Sequence, residues 1–204
     1  MKKPVPSKAE TSLLEPFIGL TLEGIHVPAT REQFEAATAE IMAAEFVGFD
    51  TESKPTFRVG EVSDGPHIVQ FALPSRAFIF QVHHEDGRAC LIRILESERV
   101  TKVGFGLKSD NGQIRAKLGI ALNAVLDLND VFRQDGYRGD MGVRAAVGAV
   151  LKQRFNKNKS ITTTNWALPQ LTPKQLLYAA NDAYAALKVF EALEPTVNTD
   201  ATVI

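Results

Sequence analysis

The sequence predicts an α/β fold, one mixed β-sheet flanked by α-helices, and three observations carry that expectation. His67 to Leu73 and Ala77 to Val82 are apolar runs joined at Pro74-Ser75-Arg76, which reads as a hairpin. Beyond residue 100, strand and helix patterns alternate, as they do when helices cover a sheet. The 204 residues, 45 % apolar and 23 % charged, suffice for one buried core and show no internal repeat.

In chain order, residues 1–20 are polar and proline-punctuated and are expected to form a loosely held, flexible arm. Residues 21–194 are expected to form a single domain, and 195–204 a C-terminal tail. Leu22 to Val27 is a short strand candidate. Thr30 and Gln33 fit a capping box, and Phe34, Ala37, Ile41 and Met42 make the apolar stripe of the helix they start. Glu45 to Asp50 is an apolar run of strand character. Ser53 to Pro66, with two prolines and two glycines, is a loop. After the hairpin, His83-His84-Glu85-Asp86-Gly87 is turn chemistry rather than a metal site, because neighbouring side chains diverge.

Arg88 to Ser97 is a modest amphipathic helix, and Val100 to Phe105 a strand. Leu107 to Leu118 carries Leu107, Ile114 and Leu118 at helical spacing. Ala124 to Leu128 reads as a strand and Val143 to Leu151 as a helix. Gln153 to Thr164 is polar and basic, and Trp166 is expected to pack on the last helix. That helix opens with Thr172 as cap and Pro173 at its first position, and runs to about Leu193.

Composition limits the function classes. A net charge of −1 advertises no basic field for a polyanion, although an enzyme that clusters acids at its site must offset them elsewhere. The single cysteine, Cys90, permits neither an internal disulfide nor a thiolate cluster, which suits a reducing compartment. Met1-Lys2-Lys3 is followed by Pro4, Pro6, Ser7 and Lys8 where a signal peptide needs an apolar stretch. No segment is long and apolar enough to span a bilayer, so a cytoplasmic, soluble protein with no membrane partner is expected.

The chemistry concentrates in three stretches. Phe49-Asp50-Thr51-Glu52 delivers two carboxylates at a strand's end, and alternation puts both on one face. A shared cation is one reading and a polar strand exit the other. Asp110, in Lys102-Val103-Gly104-Phe105-Gly106-Leu107-Lys108-Ser109-Asp110, lies in the first turn of a helix. There it either complements the helix dipole or faces the cation of the first pair. Gly104 and Gly106, with Asp127 ending the next strand, resemble half a dinucleotide fingerprint. Ser109 fills the third glycine position, however, and Asp110 puts a negative charge where a pyrophosphate would sit. A phosphate loop fails as well, since Leu107 precedes Lys108-Ser109 where glycine is required. Finally, Tyr178 and Asp182 lie one turn apart on an alanine- and leucine-rich helix, either as core and buried ion pair or as part of a site.

Taken together, Phe49 to Glu52, Gly104 to Asp110 and Tyr178 to Tyr184 resemble the three exonuclease motifs of the DEDD superfamily, tyrosine subtype, the ribonuclease D and Werner-type exonuclease family. The resemblance spans about residues 40 to 193. It implies an RNase H-like fold and removal of nucleotides one at a time from the 3′ end of DNA or RNA. On that pattern Asp50, Glu52, Asp110 and Asp182 hold two divalent ions, and Tyr178 orients the attacking water. Members that use histidine carry it one residue earlier, where this chain has Leu177. All-carboxylate ligands favour Mg²⁺ or Mn²⁺ over zinc.

Thr51, Phe105, Leu107 and Lys159 are expected at the substrate, with Phe57 near the terminal base, though Phe105 is equally a core candidate. The basic residues Lys152, Arg154, Lys157 and Lys159 are either a phosphate-tracking stretch or a solvated loop. The chain runs only about eleven residues past the last helix, so a separate substrate-gripping module is expected to be absent or on another protein, and a monomer is the default. Two rival functions stand beside the exonuclease: a catalytically inactive nucleic-acid-binding scaffold of the same fold, and a dinucleotide-dependent enzyme.

Overall fold

The structure, a computed structural model, describes residues 3–57 and 60–197. Helix α1 (Lys8–Ser12) and strand β1 (Glu15–Pro16) come first. The arm expected to hang loosely is tied down. Lys3 N–H donates to the Gly136 carbonyl at 2.9 Å, β1 pairs in parallel with β8 (Gln153–Arg154), and Phe17 packs edge-on against Phe155. Leu20 N–H then reaches the Asn181 side chain at 2.7 Å. These contacts join residues more than a hundred positions apart, so no local pattern announces them.

The expected strand over 22–27 is a 3₁₀ turn at Leu22–Gly24 followed by a two-residue β2 (Ile25–His26). Helix α2 (Arg31–Met42) begins at the capping box read from Thr30 and Gln33, with both reciprocal bonds made. The remaining elements are β3 (Phe46–Glu52), β4 (Ile68–Leu73), β5 (Arg76–Gln81), α3 (Glu85–Glu96), β6 (Thr101–Gly104), α4 (Leu107–Leu118), β7 (Val125–Asp127), α5 (Leu128–Gln134) and α6 (Gly142–Ala146). A π-helical segment (Val147–Leu151) precedes β8, and α7 (Lys159–Thr162) and α8 (Pro173–Val197) complete the chain. Helix α3 starts three residues before the expected Arg88, with His84 at its N-cap. The expected tail runs as helix to Val197, and its remainder lies outside the described residues.

The six-stranded sheet has the order β2-β5-β4-β3-β6-β7. Strands β3, β4 and β5 form an antiparallel meander, while β6 and β7 add in parallel beside β3. Strand β3 is therefore central and needs apolar residues on both faces. Val47 and Phe49 face one layer, packed with Phe34, Ile94 and Ile114 of α2, α3 and α4. The alternate positions, Gly48, Asp50 and Glu52, face α8.

The approach of α8 to β3 depends on small residues. A Cβ added to Gly48 would stand 2.0 Å from the Ala183 carbonyl oxygen, and Ala179, Ala180 and Ala183 of α8 are fully buried. Helix α8 carries its own capping box: Gln175 N–H donates to Thr172 Oγ1 at 3.3 Å, and Gln175 Oε1 accepts from Thr172 N–H at 3.0 Å. Trp166 is fully buried against Tyr178, with ring centroids 5.9 Å apart, as the sequence led one to expect. Among the described residues no helix is long and apolar enough to cross a membrane.

Candidate active site

Three of the sequence-selected acids meet where β3 ends beside α8. Asp50, Glu52 and Asp182 each offer a carboxylate oxygen, and these atoms all lie within 4.8 Å of one another. The strand's alternation puts Asp50 and Glu52 on the face toward α8, and the Gly48–Ala183 contact brings Asp182 down to them. Glu52 and Asp182 are buried, with 8 % and 3 % of their surface exposed.

Asp110 arrives from the other helical layer. It sits in the first turn of α4, 8 % exposed, and its Oδ1 accepts a hydrogen bond from the Thr51 hydroxyl. Thr51 points to the opposite face of β3 from its two acidic neighbours, so it carries Asp110 to the strand's end without placing it inside the three-acid group. The Asp110 charge is nevertheless felt at both Asp50 and Glu52.

Like charges kept from water raise one another's pKa. Burial, then the charges of Asp182 and Asp110, hold Asp50 well above the ordinary carboxyl range. Burial and the neighbouring Asp50 push Glu52 up to about 9. Asp110 and Asp182 are raised too, chiefly by burial. Asp182 Oδ2 meets the Lys157 ammonium at 2.8 Å, and the Tyr178 hydroxyl joins the lysine in favouring the ionised carboxylate. Three converging carboxyl groups with a fourth beside them, served by one ammonium, fit a hard divalent cation better than they fit one another.

Tyr178, one turn before Asp182, is 9 % exposed. Its hydroxyl lies 3.0 Å from Thr162 Oγ1, and burial together with Asp182 raises its pKa above the usual phenolic value. Across the strand from Asp50, Gln70 is fully buried with neither side-chain polar atom partnered.

The other expected site residues separate. Leu107 is 3 % exposed and packs under the sheet, so its surface is spent on the core and not on a base. Phe105 is half-buried and lies nearly parallel to Phe132, with an interplanar angle of 11° and 6.4 Å between centroids. It still lines a cavity of about 230 Å³ with Asp50, Lys157 and Asp182. Phe57 is exposed. Lys159 opens α7, and its side chain lies outside the described residues.

Sequence reasoning missed Lys157 as a member of the site. Its ammonium lies 5.6 Å from the Tyr178 ring centroid as well as against Asp182. Burial alone would lower its pKa, but Asp182, Asp50 and Tyr178 overturn that and raise it. The only signal available was a basic residue in a polar stretch.

The dinucleotide reading is overturned by Asp127. Its carboxylate accepts from Gly106 N–H at 3.0 Å, Leu107 N–H at 2.9 Å and Asn129 N–H at 3.0 Å. It therefore fills the N-terminus of α4, the place a pyrophosphate would need, and caps α5 at the same time. Gly106, at φ +74°, makes the left-handed turn that aims those amides, a conformation any other residue would hold at a cost of about 1 kcal/mol.

Residues 25–198 match the family model described as 3′-5′ exonuclease. The chain is 28% identical over 151 residues to a 3′-5′ exonuclease of Arabidopsis thaliana, covering 73% of this chain and 52% of that protein. It is 28% identical over 161 residues to the bifunctional 3′-5′ exonuclease/ATP-dependent helicase WRN of Mus musculus, covering 78% of this chain and 12% of that protein. It thus spans about half the length of the first and about an eighth of the second. Among solved structures, the EXO domain of Aedes aegypti Nibbler superposes with a TM-score of 0.75 at 22% identity, covering 90% of this chain and 93% of that one. RNase D of Escherichia coli superposes with a TM-score of 0.73 at 19% identity, covering 86% and 45%. The fold is RNase H-like, and with its matched region embracing every acid described above, the chain belongs to the 3′-5′ exonuclease family.

Proposed function

We propose that this chain is a metal-dependent 3′-5′ exonuclease that hydrolyses phosphodiester bonds from the 3′ end of DNA or RNA and releases nucleoside 5′-monophosphates. The observation that supports it most is the convergence of Asp50, Glu52 and Asp182 within 4.8 Å, with Asp110 beside them. In this reading those four acids hold two divalent ions, Mg²⁺ or Mn²⁺. Divalent ions held by these residues would supply activation of a water and stabilisation of the charge that develops on the departing 3′ oxygen. The new bond joins water oxygen to phosphorus as the water gives up a proton to solvent, the bond to the 3′ oxygen breaks, and that oxygen takes up a proton from solvent.

The remaining residues serve orientation. Tyr178 stays protonated at neutral pH, because its pKa is raised, so it holds the water by a hydrogen bond and does not act as the base. Thr51 fixes the Asp110 carboxylate, and Phe105 offers a face at the cavity for the terminal base. Lys159 lies on the segment that would follow the phosphate backbone. The single cysteine is free and buried, which agrees with a reducing compartment such as the cytoplasm. The protein is taken to act as a monomer.

The test is an oligonucleotide labelled at either end, offered as DNA and as RNA with Mn²⁺. A ladder of 5′-labelled products shortening from the 3′ end, with early release of the 3′ label as mononucleotide, supports the reading. Intact substrate that is nevertheless bound supports the inactive scaffold instead.

A further inference from the structure

Lys157 reaches into the acid group from outside: its side chain is 38 % exposed while the Asp182 side chain that it contacts is 2 % exposed. Its Nζ lies 2.8 Å from Asp182 Oδ2 and 5.6 Å from the Tyr178 ring centroid. Two cavities meet at this point. One, of about 230 Å³, is lined by Asp50, Phe105, Asn129, Lys157 and Asp182. The other, of about 460 Å³, is lined by Asn156, Asn158, Tyr178 and Asp182 together with Phe17 and Leu20 of the N-terminal arm.

The segment that carries the lysine lies between two fixed points. Residues 156–158 belong to neither β8 nor α7. Buried Phe155 anchors them on one side, and on the other Asn158 caps α7 through Ser160 N–H at 3.0 Å. Swinging the Lys157 side chain outward therefore gives up the Asp182 ion pair and the ammonium's contact with the Tyr178 ring.

We propose that Lys157 is an internal counter-ion of the acid cluster, which a divalent cation displaces from Asp182 when it binds. The inference rests on the metal-dependent reading given above. A divalent cation held by a carboxylate would strongly repel a second cation at ammonium distance on the same carboxylate. An ammonium is a compact point charge on a flexible stem, suited to leaving one partner for another. In the metal-free protein Lys157 offsets the mutual repulsion of the acids. Lys157 lines the 230 Å³ cavity together with Asp50 and Asp182, so the exchange takes place at that cavity's wall.

Calorimetric titration of the full chain with Mn²⁺ tests this, together with Lys157→Met, Lys157→Arg and thermal melts in chelator. Lys157→Met binds Mn²⁺ roughly tenfold more tightly than the unaltered chain, having lost a competing charge contact. It also melts lower in chelator, and Lys157→Arg restores both values toward the original. In the unaltered protein, acetic anhydride labelling of Lys157, read by mass spectrometry, rises several-fold on adding Mn²⁺. Unchanged or weaker Mn²⁺ binding by Lys157→Met overturns the proposal, because the lysine then holds Asp182 ready for the ion. Labelling that Mn²⁺ leaves unchanged or lowers overturns it as well, and that arm needs no variant to fold. If neither protein binds Mn²⁺, the metal-dependent reading falls and this inference with it; if the unaltered chain binds and Lys157→Met binds no tighter, only this inference falls.

Discussion

Lys102 is buried as completely as Asp182, yet the fold treats the two charges differently. The Lys102 ammonium donates to the carbonyls of Ile94, Ser97 and Val100 at 3.3, 2.7 and 2.9 Å. It thereby satisfies the C-terminal end of α3 and ties it to β6. Its burial lowers its pKa to about 8, but every donor has a local acceptor. The acids at the end of β3 have the reverse arrangement, four carboxyl groups crowded out of water around one ammonium, with burial raising the pKa of each. A buried charge whose bonds are complete is a structural element; one whose bonds are incomplete waits for a ligand.

The sharpest way to break this comparison is to neutralise one charge of each kind. Asp50→Asn should lower Mn²⁺-dependent hydrolysis on the order of a thousandfold, about 4 kcal/mol, while its melting temperature in chelator stays level or rises. A large loss of stability in that melt would make Asp50 structural and collapse the contrast. Lys102→Met should do the opposite: it strands three carbonyls and costs about 3 kcal/mol by urea denaturation, with turnover per folded molecule unchanged.

Tyr178→Phe should lower turnover roughly tenfold to a hundredfold, as expected for a lost positioning bond, with Mn²⁺ affinity near normal by calorimetry. Unchanged turnover would remove the tyrosine from the machinery. The smallest effect is a pH dependence of opposite sign in the two regions. Glu52 and its neighbours bind protons more tightly folded than unfolded, so the chelated protein loses stability as pH rises from about 4.5 through 9. Lys102 binds its proton less tightly folded, so its contribution grows as pH rises from about 8 through 10.5. Thermal melts should therefore fall as pH rises toward 8 and level off between 8 and 9, and in Lys102→Met the fall should continue to about pH 9.

What the sequence disclosed and what it withheld follow the range of the interactions. Thr30 with Gln33 and Thr172 with Pro173 announced two helices, because capping is a contact between near neighbours. The hairpin of β4 and β5 and the shared face of Asp50 and Glu52 were equally local. Helix α5 escaped notice because it follows β7 without a loop, and Asp127, the last residue of that strand, is also its cap. The π-helical end of α6 and the pairing of β1 with β8 left no periodic trace. Lys157 stands in a stretch whose basic residues look alike in sequence, and only the tertiary approach of its loop to α8 singles it out.

Gly48 carries no chemistry, yet the absence of its side chain sets the gap between β3 and α8. One methyl group there would lever the strand from the helix and separate Asp50 from Asp182 without altering either. The geometry of the acid group is thus hostage to a hydrogen atom two residues upstream, and a mutational search confined to charged positions would overlook it.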